Sequence, residues 1–404
     1  MAASLMPAIH LPRIAYYPGA IEQLRPTVNE LVPAPGTLAL ACGARTRQRL
    51  PALEASLERL KADGWSIVEV GVSGEPSDEW IDRQRERLPD PGPDLVVAVG
   101  GGSVLDAGKA LAAMACESGP TRAYLEGVGD RPPSGARAPW IAVPTTMGTG
   151  SEATYNAVLG RPGLEGGYKR SLRHERYVAD WVLLDAGLTA SLPRAVVITA
   201  GMDAFSQLLE SYLAPTSTPL LDRWIGYGLE LAGRALPRLM EQHGEADLAA
   251  ERHDMALAAT LSGVALTGTG LGTVHGLIGP LGAVSGIPHG SACANVLPAA
   301  MRHTLEAARA AGGEARSLVE DRMARTYTCV GDGAGMSEAQ RADALVDLLE
   351  RWRSRALRSG ALQGLDEQGV GAEHIEAVVS RGSDRRNPVA IGPEGWRAIL
   401  EAAR

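Results

Sequence analysis

Asp203, Gln207, His275 and His289 are the residues of the second half of the chain best suited to hold a cation. Asp203 and Gln207 are four residues apart in Gly201-Met202-Asp203-Ala204-Phe205-Ser206-Gln207, a spacing that puts both on one face of a helix. His275 and His289 are 14 apart. On one straight helix they would stand roughly 21 Å from each other, too far to share an ion. Gly279-Pro280, Gly282, Gly286 and Pro288 lie between them and are expected to break the helix and let the chain return. One carboxylate and two imidazoles are then enough for a catalytic divalent ion with an open position, Gln207 adding its amide oxygen or a bound water. Taken singly, an Asp or a His is more often a helix cap or a satisfied buried polar group than a ligand.

A second kind of chemistry is carried by Leu95 to Met114, LVVAVGGGSVLDAGKALAAM. Leu95-Val96-Val97-Ala98-Val99 has no polar alternation and reads as a buried, parallel-type strand. Gly100-Gly101-Gly102 remove the Cβ atoms that would hold a ligand off, and Ser103 is the expected N-cap of the helix that follows. Backbone amides at such a helix start attract a phosphate, although a tight strand-to-helix turn asks for the same glycines. The usual dinucleotide fingerprint is not present, because Leu105 stands where its third glycine belongs. Trp140-Ile141-Ala142-Val143-Pro144 is another apolar run, and Thr145-Thr146-Met147-Gly148-Thr149-Gly150-Ser151-Glu152 leaves it with hydroxyls and open backbone that suit a pyrophosphate or a nicotinamide amide.

The elements that must position these groups fall into two halves. A strand and turn at Pro12–Gly19, buried strands at Thr37–Cys42 and Ser66–Val70, and helices over about 21–32, 50–63 and 77–87 alternate ahead of the glycine loop. That alternation predicts a doubly wound parallel sheet. Strand-like segments continue to Tyr177–Leu184, with Lys169, Arg170 and Arg173 close together. After Asp185 the pattern turns wholly helical, over about 194–213, 219–243, 248–268, 270–280, 290–308, 314–331, 337–358, 373–382 and 393–403. The expected organisation is an α/β nucleotide-binding domain over 1–190 and an all-α domain over 191–404.

Composition excludes several partners. A net charge of −8 argues against nucleic acid and anionic membranes. Four cysteines without CxxC spacing, no signal-peptide pattern and no bilayer-length apolar run point to a reduced cytoplasmic setting. After Cys42 the chain reads Gly43-Ala44-Arg45-Thr46-Arg47, with no acid for a ribose 2′-hydroxyl, so NADP(H) is preferred over NAD(H).

Together GGGSVLDAGKA and PTTMGTGSE resemble the iron-containing (group III) alcohol dehydrogenase family, and the pairing is more specific than either loop. Gly201-Met202-Asp203-Ala204 matches that family's helix with an Asp ligand. Val274-His275-Gly276, and Pro280-Leu281-Gly282-Ala283 with Pro288-His289-Gly290, match two further ligand segments. The likeness runs nearly end to end, to Asn387-Pro388. It implies a homodimeric NAD(P)-dependent alcohol dehydrogenase or aldehyde reductase for a small substrate. Fe²⁺ or Zn²⁺ would be held by Asp203, Gln207, His275 and His289, with His275 and Asp203 catalytic. The cofactor would lie on Gly100, Gly101, Gly102, Ser103, Asp106, Thr145, Thr146, Thr149, Ser151 and Lys169, reaching Gly43 and Arg45. Two positions depart from the family pattern: Gln207 and Gly279 stand where most metal-dependent members have histidines. Three alternatives follow: a metal-independent reductase of the maleylacetate reductase type, a sugar-phosphate cyclase-like lyase, and a non-catalytic nucleotide-binding homologue.

Overall fold

The computed structural model describes residues 9–242 and 247–404. The N-terminal lead before residue 9 and the expected helix end at residue 243 lie outside the described residues. Among the described residues eight strands form: β1 (Arg13–Tyr16), β2 (Thr37–Gly43), β3 (Ser66–Val72), β4 (Leu95–Gly100), β5 (Trp140–Pro144), β6 (Asn156–Arg161), β7 (Tyr168–Arg173) and β8 (Trp181–Leu184). Six of them make one sheet in the order β1-β8-β5-β4-β2-β3, every pairing parallel, while β6 and β7 form a separate antiparallel pair. The strand expected from Tyr177 begins only at Trp181, because Glu175–Tyr177 closes into a 3-10 turn capped by the His174 side chain.

The strand order places the ligand edge. The chain steps outward from β2 to β3, then returns to lay β4 on the other side of β2. Crevices at the carboxyl ends of strands open at such a reversal, here beside Gly43 and Gly100. All six residues of β4 are buried, as a strand covered on both faces requires. The helix Gly102–Met114 packs directly on β4, and a Cβ on Gly108 would come within 2.5 Å of the Ala98 Cβ. Gly108 thus provides the close helix-to-strand approach that Leu105 cannot.

From Arg194 onward the described residues contain helices and no strand, with the longer ones at Arg194–Leu213, Pro219–Gln242, Ala249–Thr269, Thr273–Ser285, His289–Ala311, Gly313–Val330 and Glu338–Arg358. The helix carrying His275 does not break at Gly279-Pro280 as expected. It runs to Ser285 and ends at Gly286, whose φ of 74° is left-handed, just before Pro288. Pro280 forgoes one helical hydrogen bond, but burial of Leu277, Ile278 and Leu281 around it keeps the helix whole. No single helix among the described residues is long and apolar enough to cross a membrane.

The second glycine loop joins the two halves. Gly150, at φ 61°, lies so near the helix Ala249–Thr269 that a Cβ would be 2.4 Å from the Ala259 carbonyl, and Gly263 faces it from that helix. Beside this contact the Thr260 hydroxyl donates to the buried Glu152 carboxylate at 2.8 Å.

Candidate active site in the cleft between sheet and helices

The two loops read from the sequence touch each other. A Cβ on Gly101 would lie 3.0 Å from Thr146 Cγ2, and one on Gly102 would lie 2.7 Å from the Thr149 side chain. The glycines therefore admit the neighbouring loop as well as any ligand. Gly101, not Ser103, is the N-cap, and Ser103 falls within the first helical turn. No side chain caps this helix start, which leaves its first amides for an anion.

Lys109, one turn beyond Asp106 on the same helix, fastens the loops. Its side chain is fully buried, and Nζ donates at 2.8 Å to the Ser151 carbonyl, Thr154 Oγ1 and the Asn156 carbonyl. Burial pulls its pKa down to about 8, against the opposing pull of Asp106 and Glu152. The Ser151 hydroxyl also donates to Asp106.

Across the cleft, the helix Arg194–Leu213 turns Val197, Ile198, Phe205 and Leu208 into the core. Asp203, Gln207 and Glu210 share one stripe of it at i, i+4 and i+7. Asp203 is 1% exposed. His275 Nε2 is 3.5 Å and His289 Nε2 is 3.6 Å from the same oxygen, Asp203 Oδ1. One ligand atom from each of the three residues lies within 4.8 Å of the others. Ligands at about 2.05 Å around a tetrahedral ion are spaced about 3.3 Å apart, so these separations fit the edges of a coordination shell. The buried Nε2 of His275 has no hydrogen-bond partner, as an atom reserved for a cation would not.

The electrostatics agree with that fit. Burial alone would raise the Asp203 pKa, but His289, His275 and Gln207 outweigh it and hold the carboxyl below its ordinary value. Burial lowers His275, but the carboxylates of Asp203 and Glu210 reverse the effect and push it up to about 9. Burial drives His289 down to about 4, Asp203 opposing. To hold a cation His275 would give up a proton, while His289, with its lowered pKa, would offer a neutral imidazole.

Glu210 was not singled out from the sequence. Its carboxylate accepts from His275 Nδ1 at 2.7 Å and from the Val274 amide at 2.6 Å, which fixes the imidazole and turns Nε2 toward Asp203. Gln207 differs from expectation. Its oxygen accepts from the Ser262 hydroxyl at 2.7 Å, and its nitrogen faces Asp203 Oδ1 at 3.3 Å, so it steadies the carboxylate instead of offering an oxygen ligand.

A cleft of about 260 Å³ joins the two sides. Gly102, Ser103, Asp106, Thr149, Ser151 and Lys169 line it from the sheet half, and Gln207, His275 and His289 from the helical half. Gly100 and Gly101 lie behind this wall, with the Thr145 amide bonded to the Gly100 carbonyl at 2.9 Å and Thr146 against Gly101. Gly43 and Arg45 sit at the end of β2 and do not line the cleft. Arg47 is taken up by Glu54 and Glu69.

A glycine loop on a parallel sheet, facing an Asp-His-His cluster across one cleft, defines a two-part oxidoreductase. The chain belongs to the iron-containing alcohol dehydrogenase family. The family's N-terminal model matches residues 12–186, and the model of its C-terminal part matches residues 197–403. Long-chain-alcohol dehydrogenase 1 of Geobacillus thermodenitrificans (strain NG80-2) is 30% identical over 389 residues, covering 95% of this chain and 93% of that protein. Sulfoacetaldehyde reductase of Bilophila wadsworthia (strain 3_1_6) is 30% identical over 335 residues, covering 81% of each. The solved structure of a 1,3-propanediol oxidoreductase has the same fold, with a TM-score of 0.81 at 24% identity, covering 99% of this chain and 100% of that one. The chain is an enzyme of the alcohol and aldehyde dehydrogenase type, from a family that uses a nicotinamide cofactor and iron or another divalent metal.

Proposed function

We propose that this enzyme reduces a small aldehyde, or oxidises the matching alcohol, in the cleft between its halves, with Asp203, His275 and His289 holding a divalent ion. The observation that carries the reading is that one cleft is lined by the glycine-loop helix start and by both histidines. Bound there, the ion supplies a Lewis acid for the substrate oxygen and the dinucleotide supplies the hydride. Gly102 and Ser103 present helix-start amides to the pyrophosphate, and Thr149 and Ser151 close over it. Glu210 keeps His275 in register, and Gln207 keeps Asp203 in register. Gly279 offers no proton relay, so the alkoxide takes its proton from water. The absence of an acid after β2, with Arg45 exposed there, supports NADP(H) over NAD(H). The reading treats the chain as a cytoplasmic homodimer whose protomers divide into 1–190 and 191–404. Four cysteines free of disulfides suit that compartment, and helices replace strands between Leu184 and Arg194.

The second reading is a metal-free reductase, favoured by His275 standing between two carboxylates that raise its pKa. NADH and NADPH oxidation with propanal, before chelation, after it and after adding back Fe²⁺ or Zn²⁺, separates the two. The metal reading expects turnover to vanish and return, with the larger kcat/KM for NADPH. Full activity in a chelated sample free of metal leaves only the second.

A further inference from the structure

Gly279 stands one helical turn past His275, and the space beside it is occupied. A Cβ there would meet only Arg385 Nη2, 3.6 Å away, and both residues line the cleft with His275 and His289. The guanidinium arrives on the loop between the helices Ala372–Val379 and Gly392–Ala402.

That loop is firmly held. Asp384 accepts from Thr273 Oγ1 at 3.0 Å, from the Ile391 amide at 2.9 Å and from Trp396 Nε1 at 2.7 Å. The Arg386 amide donates to the Leu271 carbonyl at 3.0 Å. The Ser383 carbonyl lies so close to the His275 helix that a Cβ on Gly276 would sit 1.8 Å from it. Arg385 has φ 48°, the one non-glycine residue among those described in the left-handed region. Strain of that kind persists only where the surroundings enforce it, and here it aims one side chain.

The charge so aimed has no partner. Among the described residues Arg385 makes no ion pair. Of the acids near it, Glu210 is engaged with His275, and Glu126 pairs with Arg173 at 3.4 Å. Lys169 is no substitute, since Glu75 holds it at 2.5 Å. The Arg385 side chain is exposed to solvent in the cleft, and although neighbouring protein lowers its pKa the guanidinium stays charged.

We propose that Arg385 is a specificity-determining residue that receives the anionic end of the substrate. The substrate is then a short aldehyde or alcohol bearing a carboxylate or sulfonate. This deepens the function proposed above and rests on it. Four helical residues rise about 6 Å, so an anion on Arg385 and a carbonyl beside His275 are a few bonds apart. A guanidinium matches the paired oxygens of either acid group, whereas with a neutral aldehyde its N–H groups are left to water.

The test compares kcat/KM for 4-oxobutanoate, 2-oxoethanesulfonate and butanal in the metal-loaded wild type, Arg385→Gln and Arg385→Lys. At least one anionic aldehyde exceeds butanal by about tenfold or more in the wild type, the two anions showing which acid group is preferred. The anionic-to-neutral ratio falls about tenfold or more in Arg385→Gln and less in Arg385→Lys. Calorimetry adds a readout without turnover: succinate binds the wild type and fails to bind Arg385→Gln. Equal use of butanal by the wild type, or an unchanged ratio in Arg385→Gln, overturns the proposal. If no aldehyde is reduced, the dehydrogenase reading itself has failed, and succinate binding still decides whether Arg385 is an anion receptor.

Discussion

Replacing Lys109 with Met tests whether the two loops act as one cofactor cradle. The wild-type ammonium makes three hydrogen bonds at 2.8 Å to loop atoms of Ser151, Thr154 and Asn156. At about 1.5 kcal/mol for each bond to a charged group, their sum is about 4.5 kcal/mol. Burial opposes them: a pKa lowered from 10.5 to about 8 corresponds to a penalty of about 3 kcal/mol on the charged form. Met removes both quantities but leaves the Ser151 and Asn156 carbonyls unpaired, at about 1–3 kcal/mol each. A net loss of about 3–7 kcal/mol at pH 7 results, together with a raised cofactor KM as Thr149 and Ser151 lose their anchor. The pH dependence has a definite sign. A folded pKa below the unfolded one contributes stability that is complete above 10.5 and is lost as the pH falls through about 8. The gap between wild type and variant therefore widens from pH 8 toward pH 10; groups distant from Lys109 cancel in the difference, whereas Asp106 and Glu152 lose the charge that lowers their pKa values. Denaturant unfolding of both proteins across that range measures it, with cofactor KM determined at pH 7.5. Equal stability with an unchanged cofactor KM, or a gap that narrows as the pH rises, refutes the reasoning.

Gly102→Val puts a branched side chain where a Cβ already meets Thr149 at 2.7 Å, and it obstructs the helix-start amides. The expected result is a rise of about tenfold or more in cofactor KM, since a misplaced phosphate loses charge-assisted hydrogen bonds. A folded variant with normal cofactor KM removes the loop from the site. Glu210→Gln keeps the acceptor for the Val274 amide but takes the charge from behind His275. Competition with a chelator is expected to show Zn²⁺ binding weakened about 10–100-fold, and an unchanged dissociation constant would show that Glu210 does not orient the ligand.

How far the sequence alone reaches is decided by how local each feature is. The run Leu95–Gly102 is legible because a buried strand and a glycine loop are properties of consecutive residues, and the structure forms both there. Asp203, His275 and His289 are legible by residue type, and they converge although the turn that brings the histidines together is at Gly286 instead of Gly279. The misjudged break shows packing overriding a local signal, since Pro280 is held in helix by its buried neighbours. Glu210 was within reach, because seven residues from Asp203 is the same helix face and a buried acid there must have a partner. Lys109 and Arg385 were not, because their meaning lies in atoms more than 40 residues away in the chain. Gln207 shows the same limit from the other side: its type permits a ligand, but Ser262, on another helix, takes the oxygen. The two departures from the family pattern also have different physical outcomes. At 207 a polar side chain is retained and redirected onto Asp203. At 279 the side chain is gone, and the guanidinium of Arg385, from a distant loop, stands beside the position instead.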